Sequence, residues 1–228
     1  MFAGTCFFIF LYRQLRGPNP FINVRLLGRW NFGMANVIGV ILGLGLYGTI
    51  FITPLYLAQI QDYNALQIGV TMMWFGFPQL IAVPLIVRLM KTVDLRHLVA
   101  FGCVVFAWSC LINIHMNADS GYDQLLLANF IRGIGQPFLS IPLAVMATVG
   151  IEKTQVGSAS GLYNLTRNLG GAVGIAFLAQ EQAIRTIDAI ARRESMVMAY
   201  NDAFYFVGAA FVFGACVTYT LKPFRPLG

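Results

Sequence analysis

The residue best placed to do chemistry is Arg132, in the run FIRGIGQPFLSIP. It follows Asp123 by nine residues, about 14 Å along a helix, with apolar sequence on both sides. A cation in such a stretch is expensive and marks a functional site by default. Gly133 and Gly135 permit close approach of another helix. Pro137 and Pro142 free the carbonyls of Gly133 and Phe138. A bent helix carrying Arg132 and Gln136 suits a cavity wall. It equally suits an arginine that pins helices by bonding freed carbonyls.

A second constellation lies in GSASGLYNLTRNLGGAVGIA (157–176). At helical spacing Ser160, Asn164, Arg167, Gly171 and Gly174 share one side, and Leu162, Leu165, Leu169 and Val173 another. The glycine pairs Gly157/Gly161 and Gly170/Gly174 read as close helix contacts. Asn164, Arg167 and Asn168 are candidates for lining a polar pathway. Trp74 and Gln79, between prolines, and Tyr47, among glycines, supply the aromatic and amide groups that an amphipathic ligand needs. Trp30 and Tyr122 fall where an interfacial aromatic belt would sit. No Asp or Glu lies well inside an apolar run, and there are no paired carboxylates and no Ser/His arrangement. This speaks against an enzyme. The four cysteines form no CxxC pair and imply no metal, and no cofactor motif is present; LGGAVG lacks the Lys-Ser/Thr of a phosphate loop.

The elements that must hold these residues are transmembrane helices. Of 228 residues 58% are hydrophobic and 11% charged, against about 25% charged in soluble domains. The net charge of +6 reads as basic loops facing one side of a lipid bilayer, not as a nucleic-acid surface. A span needs about 20 apolar residues. Gaps between charges place six, at 31–54, 65–87, 97–117, 122–149, 157–180 and 200–221. Residues 1–12 are apolar but short, with Arg13 and Arg16 after them, and read as the end of a truncated helix. Residues 13–30 read as a cytoplasmic linker and 222–228 as a cytoplasmic tail. Ten basic residues then fall inside and three outside, with the C-terminus cytoplasmic. The mixed-charge stretch EQAIRTIDAIARRES (181–195) is expected to form a short surface helix.

The run GSASGLYNLTRNLGGAVGIA closely resembles the span before the last outer loop of EmrB/QacA-type drug:proton antiporters, fourteen-helix proteins of the major facilitator superfamily. NPFINVRLLGRWNF (19–32), GLYGTIFITPLYLAQIQDYNALQIG (45–69), FIRGIGQPFLSIPL (130–143) and AYNDAFYFV (199–207) match in order and spacing. The resemblance implies an all-α fold, the C-terminal six-helix bundle of such a transporter, with the N-terminal half and its proton-coupling acid absent. It implies a central cavity lined by the first, second, fourth and fifth spans, small amphipathic drug-like substrates, protons, a bacterial inner membrane and a periplasmic adaptor partner. In place of the family's acidic inner-loop pattern stands VRLMKTVDLRHL. There Arg88 and Lys91 interrupt the pattern, while Asp94 and Arg96 remain as gating-loop candidates. The alternative expectation is a truncated, non-transporting membrane protein or assembly partner.

Overall fold

A computed structural model describes residues 24–114, 122–152, 154–188 and 193–221. The readings for residues 1–23 and 222–228 lie outside the described residues. A 3-10 turn, Val24–Gly28, leads into six helices. These are α1 (Trp30–Gln59), α2 (Ala65–Leu89), α3 (Leu95–Asn113), α4 (Tyr122–Thr148), α5 (Val156–Asp188) and α6 (Arg193–Thr218).

Local chemistry sets several boundaries. Asn64 begins α2 with a reciprocal capping box, accepting from the Gln67 amide while the Gln67 side chain accepts from its own. Asp94 caps α3 by accepting from the Arg96 amide at 3.1 Å. α1 continues past Pro54, burying Tyr56 and Leu57 beyond the end expected at residue 54. Of the stretch expected as a short surface helix, 181–195, residues 181–188 continue α5 and 193–195 open α6, while 189–192 lie outside the described residues. No Gly or Pro lies between Gly174 and Asp188, so nothing local ends α5 before Asp188. Side chains of 181–196 are not described.

Five helices combine the length and apolarity to cross a bilayer; α5 is the exception. At 33 residues it is about 50 Å long. Its polar stripe and its charged continuation beyond residue 180 lower its apolarity. α5 nevertheless lies along α1, and these two share the most extensive helix contact. α4 packs on α3 and α2, α3 also packs on α6, and α6 returns to α1.

The core between α1, α3, α4 and α6 is aromatic. Phe106 and Phe211 stack with centroids 4.2 Å apart, and Tyr56 meets Tyr200 edge-on at 5.2 Å. All four are fully buried. α2 is held mainly by α4, touching α1 only slightly. Only 22% of its most apolar window is buried, and it turns Leu66, Met73, Phe77, Leu80 and Ile81 outward. In a bilayer such residues face lipid or another helix.

Candidate functional site

The α1–α5 crossing is built by glycines. A Cβ on Gly43 would strike the carbonyl of Arg167, and one on Gly170 would strike the backbone of Val40. Gly174 lies against Leu44 in the same way. This proximity brings polar groups together. The Thr166 hydroxyl donates to Asn36 Oδ1 at 2.6 Å, and the Tyr47 hydroxyl donates to Asn168 Oδ1 at 3.0 Å. The Tyr47 ring lies over Gly171. Of the two expected glycine pairs, Gly170/Gly174 makes the close contact, whereas Gly157 and Gly161 meet nothing within 4 Å.

Asn164 and Asn168 are exposed, one turn apart, on the side of α5 that also carries Gly157 and Gly161. The Asn164 amide donates to the Ser160 carbonyl of its own helix at 3.0 Å. Half-buried Arg167 keeps its Nε away from solvent without a hydrogen-bond partner, as does the hydroxyl of buried Tyr163. The result is a strip of amide and small side chains along α5, joined by Tyr47 from α1, that the bundle itself leaves uncovered.

Arg132 is placed differently. It is 3% exposed and reaches toward α3 and α6 inside its own bundle. Its Nε donates to the Ser109 hydroxyl at 3.3 Å. Its guanidinium lies 5.8 Å from the Phe106 ring centre and 5.4 Å from that of Phe204. Nη2 has no hydrogen-bond partner. Two aromatic rings within about 6 Å give the guanidinium a partial cation–π stabilisation. Gly135, on the same side, lets α4 approach Val105 and Phe106 of α3.

The opposite flank of α4 holds α2. Gly133 packs on the Phe75 backbone and on Pro78, and Asn129 Nδ2 donates to the Thr71 carbonyl at 3.2 Å. Trp74 Nε1 donates to the Tyr122 hydroxyl at 2.6 Å, and the Tyr122 amide donates to the Tyr63 hydroxyl. Tyr122 is therefore a specific strut between α2 and α4. Gln79 donates back to the Phe75 carbonyl of its own helix, and Gln136 is half-buried. Of the eight sequence-derived candidates, Tyr47 and Asn168 are in direct contact, with Asn164 and Arg167 on adjoining turns. Trp74, Gln79 and Arg132 bond elsewhere. Asn36, Thr166 and Ser109 escape a search for charges because they are neutral.

At the end where α1 begins, a clasp gathers four helices. Arg29 Nη1 donates to the Gly150 carbonyl and Trp30 Nε1 to the Thr220 carbonyl, both at 3.1 Å. Arg96 donates to the Leu221 carbonyl at 2.9 Å and pairs with Asp94 at 3.4 Å. Trp30 thus does more than sit in an aromatic belt. Arg96 closes the carbonyl end of α6, where a cation is favoured. Arg88 and Lys91 are exposed. Arg96→Ala is expected to lower stability by about 1–2 kcal/mol, a charged hydrogen bond discounted for partial exposure. Thermal unfolding of the detergent-solubilised protein measures it, and an unchanged midpoint would remove Arg96 from the clasp.

Residues 4–175 match the model of the Major Facilitator Superfamily. The chain is 31% identical over 170 residues to the colistin resistance protein EmrB of Acinetobacter baumannii, an alignment covering 75% of this chain and 33% of that protein. It is 27% identical over 174 residues to the multidrug export protein EmrB of Escherichia coli, covering 75% and 33%. To the fatty acid resistance protein FarB of Neisseria gonorrhoeae it is 26% identical, covering 76% and 34%. The chain therefore spans about a third of the length of these relatives. The six-helix architecture, the apolar spans and the family match agree: this multi-pass membrane chain belongs to the major facilitator superfamily.

Proposed function

We propose that the chain forms the C-terminal half of a proton-coupled exporter of small amphipathic compounds that works by alternating access in a bacterial inner membrane. The observation that carries this reading is the strip on α5. Asn164 and Asn168, with half-buried Tyr47 beside them, are uncovered by their own bundle next to the outward-facing Leu165, Leu169 and Val173. Exposed amides facing hydrocarbon would cost several kcal/mol, so their place is a water-filled or protein-lined space. A second bundle opposite this strip would enclose it near the bilayer midplane, where transporters of two halves bind their substrates. Amide and phenol groups beside apolar walls orient amphipathic molecules without demanding one shape. The export and resistance proteins among the relatives support the same substrate class.

In this reading Tyr47, Trp74, Gln79, Gln136, Asn164, Arg167 and Asn168 contribute to the cavity, while Arg132 fixes α4 from behind. Asp94 and Arg96 belong to the inner clasp, with the α6 end cytoplasmic. Proton uptake and any periplasmic adaptor would engage the other half or the whole assembly. The test is accumulation of a broad panel of amphipathic dyes in cells expressing the complete reading frame, with and without a protonophore. Lower accumulation that the protonophore abolishes is expected. Unchanged accumulation across the panel would overturn export.

The site makes a finer prediction. Tyr47→Phe deletes one hydrogen bond worth about 1 kcal/mol while keeping the ring over Gly171. It is expected to change apparent affinity for transported dyes a few-fold and to lower stability by no more than about that 1 kcal/mol. Asn168→Ala should act in the same direction. Unaltered dye kinetics in both would detach this pair from the cavity.

A further inference from the structure

A cleft of about 380 Å³ opens at the end of the bundle where α1 begins, between the start of α1 and the end of α4. Phe32, Met146, Val149 and Ile151 contribute its apolar walls, with Arg29 and Trp30 among its lining. Gly150, with a left-handed backbone (φ 77°), turns the chain at the end of α4. Its carbonyl holds one N–H of the exposed Arg29 guanidinium at 3.1 Å. Arginine has five such donors, so four remain. The Trp30 indole N–H is spent on the Thr220 carbonyl at 3.1 Å, which fixes a ring that is 56% exposed. Arg25, in the preceding 3-10 turn, is a second exposed cation. The nearest acid in sequence, Glu152, is exposed and not among the lining residues. The cleft thus combines an apolar floor, an anchored indole and a guanidinium held at one point. An arginine fork matches phosphate oxygens in a two-pronged geometry that a mobile ammonium does not.

We propose that this cleft binds the headgroup phosphate and upper acyl chain of an anionic phospholipid from the inner leaflet. Arg29 would hold the phosphate, and the first methylenes would lie on the exposed Trp30 ring and on Val149 and Ile151. The volume is that of a small-molecule pocket, so the rest of the lipid stays in the bilayer. The choice of an anionic headgroup follows from the charge at the cleft, which is cationic with no acid among its described lining residues. The choice of leaflet rests on the orientation adopted under Proposed function.

The test is native mass spectrometry of the complete detergent-solubilised protein with short-chain phosphatidylglycerol and, separately, phosphatidylcholine of the same chain length. Wild type is expected to prefer phosphatidylglycerol by about tenfold, because both headgroups offer the phosphate but the quaternary ammonium of phosphatidylcholine is repelled by the Arg25 and Arg29 cations. Arg29→Gln should abolish the preference. Val149→Trp, which fills the cleft, should weaken both lipids. Arg88→Gln, at an exposed cation on α2, should change nothing. An equal loss with Arg88→Gln would show general charge attraction and overturn the site. Retained preference in Arg29→Gln would overturn it independently of whether the tryptophan variant folds. Competition by inorganic phosphate as effective as by the lipid would overturn a lipid occupant. Reporter fusion at the C-terminus checks the leaflet separately. An external C-terminus beside an intact Arg29 effect would move the site to the other leaflet, leaving the cleft itself assigned.

Discussion

Gly43→Ala in the complete protein is expected to destabilise the bundle by about 3–5 kcal/mol and to abolish transport. The added methyl would collide with the Arg167 carbonyl oxygen, with its carbon at 2.9 Å and with the Gly171 nitrogen at 3.0 Å. All three are main-chain atoms of α5, so no rotamer change can relieve the clash. α1 and α5 must separate. Overpacking of this kind costs about 1–3 kcal/mol. Separation also breaks the Thr166–Asn36 and Tyr47–Asn168 bonds, at about 1 kcal/mol each. Gly170→Ala meets the Val40 backbone and should behave alike. Gly161→Ala is the control, because open space surrounds it in the bundle. Its thermal midpoint should match wild type, and any transport defect would then report a partner beyond this bundle. Wild-type stability of both Gly43→Ala and Gly170→Ala would show that the two helices do not lie this close.

The second large effect concerns Arg132. Arg132→Ala leaves a void beside Phe106 and Phe204, and emptying a site of that size costs about 3–5 kcal/mol. It also removes the donor to Ser109. Arg132→Lys keeps the charge but loses the planar group that spans both rings and the hydroxyl, so a partial rescue is expected. Arg132→Met fills most of the volume and removes a buried charge that has no carboxylate partner in the structure described, a change that is often neutral or stabilising. Stability should therefore follow the order Met, Lys, Ala, measured by thermal unfolding in detergent. A methionine variant that is stable and still exports would make the residue a packing anchor alone. One that is stable and inactive would give the charge a part in the transport cycle. An alanine variant indistinguishable from wild type would end both roles.

The bilayer explains why so much of the fold was legible. A charge inside hydrocarbon is so costly that charge-free gaps outline the spans, and α2 begins at the residue such a gap suggests, 65. Helix ends depended on weaker signals. Asp94 as a cap moved the start of α3 to Leu95, and the absence of Gly or Pro after Gly174 let α5 run on. The face of α4 that carries Arg132 was not legible, because spacing fixes which residues lie together but not which neighbour they meet. Gly157/Gly161 and Gly170/Gly174 make the same point. The two pairs carry one spacing, yet only the second lies under α1. The neutral polar pairs of Asn36 with Thr166 and Tyr47 with Asn168 required the crossing itself to be seen.

That crossing bears on how the protein is made. The helices most intimately packed, α1 and α5, are far apart in sequence; Asn36 and Thr166 are separated by 130 residues. At ribosomal speeds of about 5–20 residues per second, α5 emerges roughly 6–26 s after α1. Through that interval α1 waits in the membrane with its glycine groove unfilled and the Asn36 oxygen without the hydroxyl it later accepts from. Insertion must therefore tolerate an open seam, filled by lipid or by the insertion machinery, until the fifth helix arrives to replace it.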